Sequence, residues 1–136
     1  MRAQTNLLYV EDDPGSRKVM RMLIRRVPVP VNLTILEDST DFLLRIECAV
    51  PEPDVFLLDI HVSPNDGFQM LEILRCHAQF SNKMVVALTA SVMNEEVNRL
   101  KEAGFDGVLA KPLNFYQFPT RLERILHGER MWMVTR

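Results

Sequence analysis

The 136-residue chain is sparing in several things at once. It has two cysteines, Cys48 and Cys76, set far apart and with no histidine cluster at ligand spacing. That excludes a zinc framework or a disulfide scaffold and leaves reduced thiols in a cytoplasmic protein as the expectation. Long apolar runs are missing near the start. Leu7 to Val10 is a run of four before three acids, against about 7–15 apolar residues for a signal peptide and about 20 for a membrane span. A soluble, uncleaved protein is expected. Charge of one sign is missing too: 16 Lys+Arg against 18 Asp+Glu give a net −2, which argues against a nucleic-acid binder that works by neutralising phosphates. No GxGxxG or GK[ST] step occurs, so dinucleotide and P-loop chemistry drop out. What is present, 47% hydrophobic and 25% charged residues, suffices for one domain with a sizeable core.

Short apolar runs alternate with helical patterns. Leu7 to Val10 reads as a buried strand stopped by Glu11-Asp12-Asp13 and Pro14. Val19, Met20, Leu23, Ile24 and Val27 then recur at spacings of three and four, with Arg17, Arg21 and Arg25 on another face, which predicts an amphipathic helix capped by Asp13 and closed by Pro28 and Pro30. Val31 to Leu36 alternates with period two, as an outer strand would. Asp38 or Ser39 is placed to cap the next helix, through Phe42, Leu43 and Ile46. Val55 to Leu58 and Met84 to Leu88 are further buried strands ending at Asp59 and Thr89. Helices follow from about Phe68 to His77 and from about Asn94 to Ala103, the latter stopped by Gly104. Gly107 to Ala110 is a fifth strand, and a last helix runs through Leu122, Ile125 and Leu126 to Gly128. Five β-α units predict an α/β fold: a doubly wound, five-stranded parallel sheet with helices on both faces.

In such sheets ligands bind beyond the carboxyl ends of the strands, where strand order reverses. The residues there are Glu11, Asp12, Asp59, Thr89 and Lys111. If the strand order is 2-1-3-4-5, the acids after strands one and three face each other, and carboxylates that close raise one another's pKa or demand a cation. An all-oxygen site beside a phosphate suits Mg²⁺. Lys111 adds positive charge and Thr89 a hydroxyl, a set suited to phosphoryl transfer onto a carboxylate, with Asp59 as nucleophile.

The stretches LLYVEDDPGSR, DVFLLDI followed by DG, ALTA and VLAKP, separated by 47, 30 and 22 residues from Asp12 to Asp59 to Thr89 to Lys111, together resemble the receiver domain of two-component response regulators. The resemblance covers roughly residues 6–127. It implies a flavodoxin-like fold and phosphorylation of Asp59 by a sensor histidine kinase, a histidine phosphotransfer protein or a small phosphodonor. Enzymatic activity would be at most self-catalysed phosphotransfer and dephosphorylation. It further implies that Asp12 and Asp59 ligate Mg²⁺, with Glu11 acting through a bound water and the His61 backbone carbonyl adding a ligand. Thr89 and Lys111 would contact the phosphoryl group beside the small Ala90, and Lys111-Pro112 would be cis.

Several residues keep a plain reading beside a sharper one. Asp66-Gly67 reads as turn chemistry. His61 reads as an exposed loop residue, against a role tuning water attack, and His77 and His127 as surface residues at helix ends. The Arg17, Lys18, Arg21, Arg25, Arg26 cluster is either a solvated face or the kinase-facing surface. Three departures from the family stand out: Val62-Ser63 replaces Met-Pro after the acceptor, Val108 replaces the aromatic three residues before the lysine, and Pro119 must kink or delay the last helix. Phe115, Tyr116 and Phe118 lie beside it, on what the resemblance makes the output and dimer face, formed by the fourth helix, fifth strand and fifth helix. The expectation is a receiver over 1–128 with a short tail, 129–136, that signals through protein contacts without nucleic acid or membrane, with homodimerisation left open. The alternatives are a constitutive interaction module with an impaired switch, or a receiver cut from a larger regulator or hybrid kinase.

Overall fold

The structure is a computed structural model and describes residues 4–133; residues 1–3, and residues 134–136 of the tail read from the sequence, lie outside the described residues. Ten elements alternate: β1 (Thr5–Val10), α1 (Pro14–Ile24), β2 (Val31–Leu36), α2 (Phe42–Glu47), β3 (Val55–Asp59), α3 (Gly67–Arg75), β4 (Met84–Thr89), α4 (Asn94–Ala103), β5 (Gly107–Ala110) and α5 (Phe118–Leu126). All strand pairs are parallel, as the alternation of buried runs and helical patterns predicts, and the sheet order is β2-β1-β3-β4-β5, the order that the family resemblance implies.

Period two sorts the strand side chains into two layers. Leu7, Tyr9, Val55, Leu57, Val86 and Leu88 pack with Met20, Leu23, Leu122 and Ile125 of α1 and α5. Leu8, Val10, Phe56, Leu58, Val85 and Ala87 pack with Phe42, Ile46, Met70, Leu74, Val97 and Leu100 of α2, α3 and α4. Burial on both faces is why the inner strands read as unbroken apolar runs. Edge strand β2 is half-buried along most of its length, as its alternation predicts. Among the described residues no helix is long and apolar enough to cross a membrane.

Local chemistry moves several helix ends from their expected places. Asp13 accepts the Ser16 N–H at 2.8 Å, so α1 begins at Pro14, whose missing N–H costs nothing in the first turn. Neither Asp38 nor Ser39 caps α2: Asp38 accepts the Thr40 N–H, Ser39 is buried and bonded to Asn65, and Asp41 precedes the helix in a left-handed conformation without a side-chain cap. Asp66 does more than make a turn, because it forms a reciprocal capping box with Gln69 at the start of α3. Gly104 ends α4 at φ +111°, where a β-carbon would be strained. Pro119 delays α5 and does not kink it; the helix starts at Phe118, and Asn114 closes the preceding turn by accepting from Tyr116 and Gln117. Of the aromatics there, Phe118 is core while Phe115 and Tyr116 are exposed. His77 is not a plain surface residue: it pairs with Glu47 at 2.9 Å and its ring packs on Phe80.

Candidate functional site

Strand register brings the acids together. Val10 is level with Leu58, so the next residues along each strand, Glu11 and Asp59, emerge side by side. Lys111 follows β5, two strands from β3, and its long side chain crosses the gap. Its Nζ donates to Glu11 Oε1 at 2.8 Å and to Asp59 Oδ2 at 2.9 Å. The Lys111-Pro112 peptide is cis, as expected.

Glu11 is inaccessible to solvent and Asp59 is 4% exposed, so both depend on partners. Glu11 also accepts from Tyr9 Oη at 3.0 Å and from the Asp13 N–H at 3.2 Å. Asp59 Oδ1 accepts the His61 N–H at 3.0 Å. Burial, and then the neighbouring Asp59, push the Glu11 carboxyl above the ordinary carboxylate range, against the opposing pull of Lys111. Burial also pushes Asp59 upward, but its contacts with Glu11, the His61 amide and Lys111 outweigh it, and Asp59 lies below its usual value. Lys111 loses to desolvation and gains more from its two carboxylates, so it is held charged. Burial, then Glu11, raise the Tyr9 phenol far above its usual value. The downward direction at Asp59 favours its carboxylate form, the state a nucleophile needs.

Asp12 is exposed and completes the acid cluster: Glu11, Asp12 and Asp59 each place an oxygen within 4.8 Å of the others. Two Mg–O bonds of about 2.1 Å span roughly 4 Å, so small side-chain adjustments bring all three within reach of one ion. Three carboxylates against one ammonium also leave the negative charge that a hard divalent cation balances. The donor set fits Mg²⁺.

Thr89 is buried at the end of β4, and its Oγ1 accepts the Ser91 N–H at 3.2 Å while its carbonyl accepts the Lys111 N–H at 2.9 Å. It lines a cleft of about 570 Å³ with His61, Asp66, Ser91, Glu96 and Arg99. His61 is exposed at this mouth, with Ala90 exposed beside Thr89. Glu11, Asp12, Asp59 and Lys111 are therefore drawn into one cluster, and Thr89 and His61 stand at its rim. Tyr9 was hidden in the sequence as part of an apolar run; its one signal is the period-two spacing to Glu11, which sets both on one strand face. Arg17 is more than a solvated charge: it holds the loop by donating to the Glu11 carbonyl at 3.0 Å and lies 4.0 Å from Glu37. Among the described residues, Arg21 and Arg25 make no ion pair.

The family model of the response regulator receiver domain matches residues 7–123. The response regulator Rre1 of Synechocystis is 30% identical over 94% of this chain and 52% of its own length. The hybrid signal transduction histidine kinase D of Dictyostelium discoideum is 34% identical over 60% of this chain and 5% of its own. The chain spans about half the length of Rre1 and of the KDP operon regulatory protein KdpE of Escherichia coli. Two solved folds superpose closely. The chemotaxis response regulator CheY4 of Vibrio cholerae gives a TM-score of 0.79 at 21% identity, covering 90% of this chain and 99% of that one. The receiver domain of the sensor histidine kinase PA1611 of Pseudomonas aeruginosa, solved with magnesium in its active-site cleft, gives 0.77 at 23%, covering 93% and 100%.

Proposed function

The chain belongs to the response regulator receiver domain family of two-component systems, and from that premise we propose that it is a phosphoacceptor modified on Asp59 with Mg²⁺ bound by Asp12, Asp59 and the His61 carbonyl and with Glu11 behind them. The observation that carries this reading is the Lys111 ammonium seated between Glu11 and Asp59 at 2.8 and 2.9 Å. An ionised carboxylate, a fixed cation and an acid cluster converge on one point. In the transfer, an Asp59 oxygen bonds to phosphorus while the bond from phosphorus to the donor's nitrogen or oxygen breaks, and the donor leaves with the electron pair. Mg²⁺ supplies charge neutralisation for the phosphoryl oxygens. Lys111 follows the new negative charge, and Thr89 offers its hydroxyl from the cleft wall.

The donor in this reading is a histidine kinase or histidine phosphotransfer protein in the cytoplasm, and the output runs through protein contacts on the α4–β5–α5 face. Residues 1–128 make up the receiver and 129–136 its tail. The test is intact mass after incubation with Mg²⁺ and acetyl phosphate. A gain of one phosphoryl group that disappears in Asp59→Asn is expected. No gain in the presence of bound Mg²⁺ overturns the reading in favour of a constitutive interaction module.

A further inference from the structure

The chain's one tryptophan, Trp132, lies in a segment that the five-stranded sheet does not need. It pairs with Val108 in a parallel bridge. The Val108 N–H donates to the Met131 carbonyl at 2.8 Å, and the Met133 N–H donates to the Val108 carbonyl at 3.2 Å. Residues 131–133 therefore lie along the outer edge of β5 in extended form, joined to it by an isolated parallel bridge. Side chains on both sides of the segment hold it down. Lys101 of α4 places its ammonium 5.0 Å from the centre of the Trp132 ring, and Arg130 lies 3.6 Å from Asp106.

The edge is shaped to receive a strand. A β-carbon on Gly107 would stand 2.6 Å from the Met131 carbonyl oxygen, and the three atoms nearest to it all belong to Met131. Only a residue without a side chain lets a backbone approach that closely. The opposite edge of the sheet, β2, has no such covering strand among the described residues.

Two backbone hydrogen bonds, one cation–π contact, the exposed Arg130–Asp106 pair and the partial burial of Met131, Trp132 and Met133 against the core favour the seated segment, against the cost of ordering it. Each of these contacts is one that a second extended segment of the same chemistry can make in its place, so the two compete for the edge. We propose that the outer edge of β5 is a strand-acceptor site for an extended segment of a partner protein, and that Met131–Met133 is the occupant which that segment displaces. The seated segment shows what is recognised: a basic residue for Asp106, an apolar residue whose carbonyl meets Val108, an aromatic ring for Lys101, and a second apolar residue. This deepens the reading of α4–β5–α5 as the output face. It does not depend on Asp59, because strand addition needs neither Mg²⁺ nor phosphate.

The probe is a fluorescein-labelled peptide with the sequence of residues 128–136, titrated by fluorescence anisotropy into the full-length chain. Trp132→Ala weakens the internal competitor and leaves Lys101 and Val108 in place, so it binds the peptide about tenfold more tightly than the unmodified chain. Adding Gly107→Ala places a methyl group where the strand must lie and removes that binding. Arg130→Glu, at an exposed position, gives a smaller gain, about two- to fivefold, and serves if Trp132→Ala does not fold. Equal affinity in the unmodified chain and both loosened variants overturns the proposal, as does binding that survives Gly107→Ala. A concentration-dependent dimer of the unmodified chain that Gly107→Ala abolishes would assign the edge to a second copy and overturn the choice of partner. Failure here leaves the Asp59 mass measurement untouched, and the reverse also holds.

Discussion

Lys111 and Asp59, 52 residues apart in sequence, meet at 2.9 Å, and the same ammonium reaches Glu11 at 2.8 Å. One cation therefore satisfies two buried acids. Removing it in Lys111→Ala leaves both carboxylates facing each other, and a loss of about 1–3 kcal/mol is expected in urea unfolding with EDTA present. Mg²⁺ should restore part of the loss, so the stabilisation by MgCl₂ is larger in the variant than in the unmodified chain. Equal responses to MgCl₂ would count against the shared role.

The Glu11 carboxyl, raised by burial and by Asp59, makes stability depend on pH. A carboxyl whose folded value exceeds its unfolded one favours folding most when it is protonated, below the ordinary glutamate range. That advantage is lost as pH rises through the folded value, because the buried group must then ionise. Glu11→Gln cannot ionise. In EDTA its melting temperature should rise relative to the unmodified chain as pH increases from 4 to 8. A constant difference across that range would show that Glu11 does not titrate in the folded protein.

Asp12 is exposed and makes no hydrogen bond among the described residues, whereas Glu11 and Asp59 are enclosed. Asp12→Asn should therefore leave the unfolding midpoint in EDTA unchanged within about 0.5 kcal/mol. Its Mg²⁺ affinity, followed by calorimetry, should fall at least roughly tenfold through loss of a charged ligand. A large stability change would place Asp12 in the scaffold.

Arg75, at the end of α3, ties the α3–β4 and α4–β5 loops together. It donates to the carbonyls of Ser81, Lys83 and Gly104 and pairs with Asp106 at 2.7 Å, while Asp106 also accepts the Val85 N–H. Arg75→Ala leaves three carbonyls without that donor and the Asp106 carboxylate with only the Val85 N–H and Arg130. A loss of about 2–4 kcal/mol is expected, with faster amide exchange at Val85 and in the turn before β5. Phosphorylation of Asp59 should persist, because Arg75 is not in the acid cluster.

The strands and their chemical ends were legible because burial on both faces writes a parallel strand as an apolar run, and the polar residue that ends the run marks the switch-point edge. Asp59, Thr89 and Lys111 are such residues. Helix starts were less legible at Phe42 and Phe118. The groups near them, Asp38, Ser39 and Asn114, each have more than one backbone partner within reach, and only the folded loops select among them.

Sequence alone determined the α/β order, the acids and the lysine, since these follow from local periodicity and from the residue types at strand ends. Tertiary structure decided what those groups do to one another. It made Glu11 a buried acid held by Tyr9 and Lys111, and it turned Arg75 and Asp106 into a clasp. It also laid Met131–Met133, which has no periodicity to betray it, against β5. The physical reason is common to all three: each contact joins residues distant along the chain, and only folding brings them to the same place.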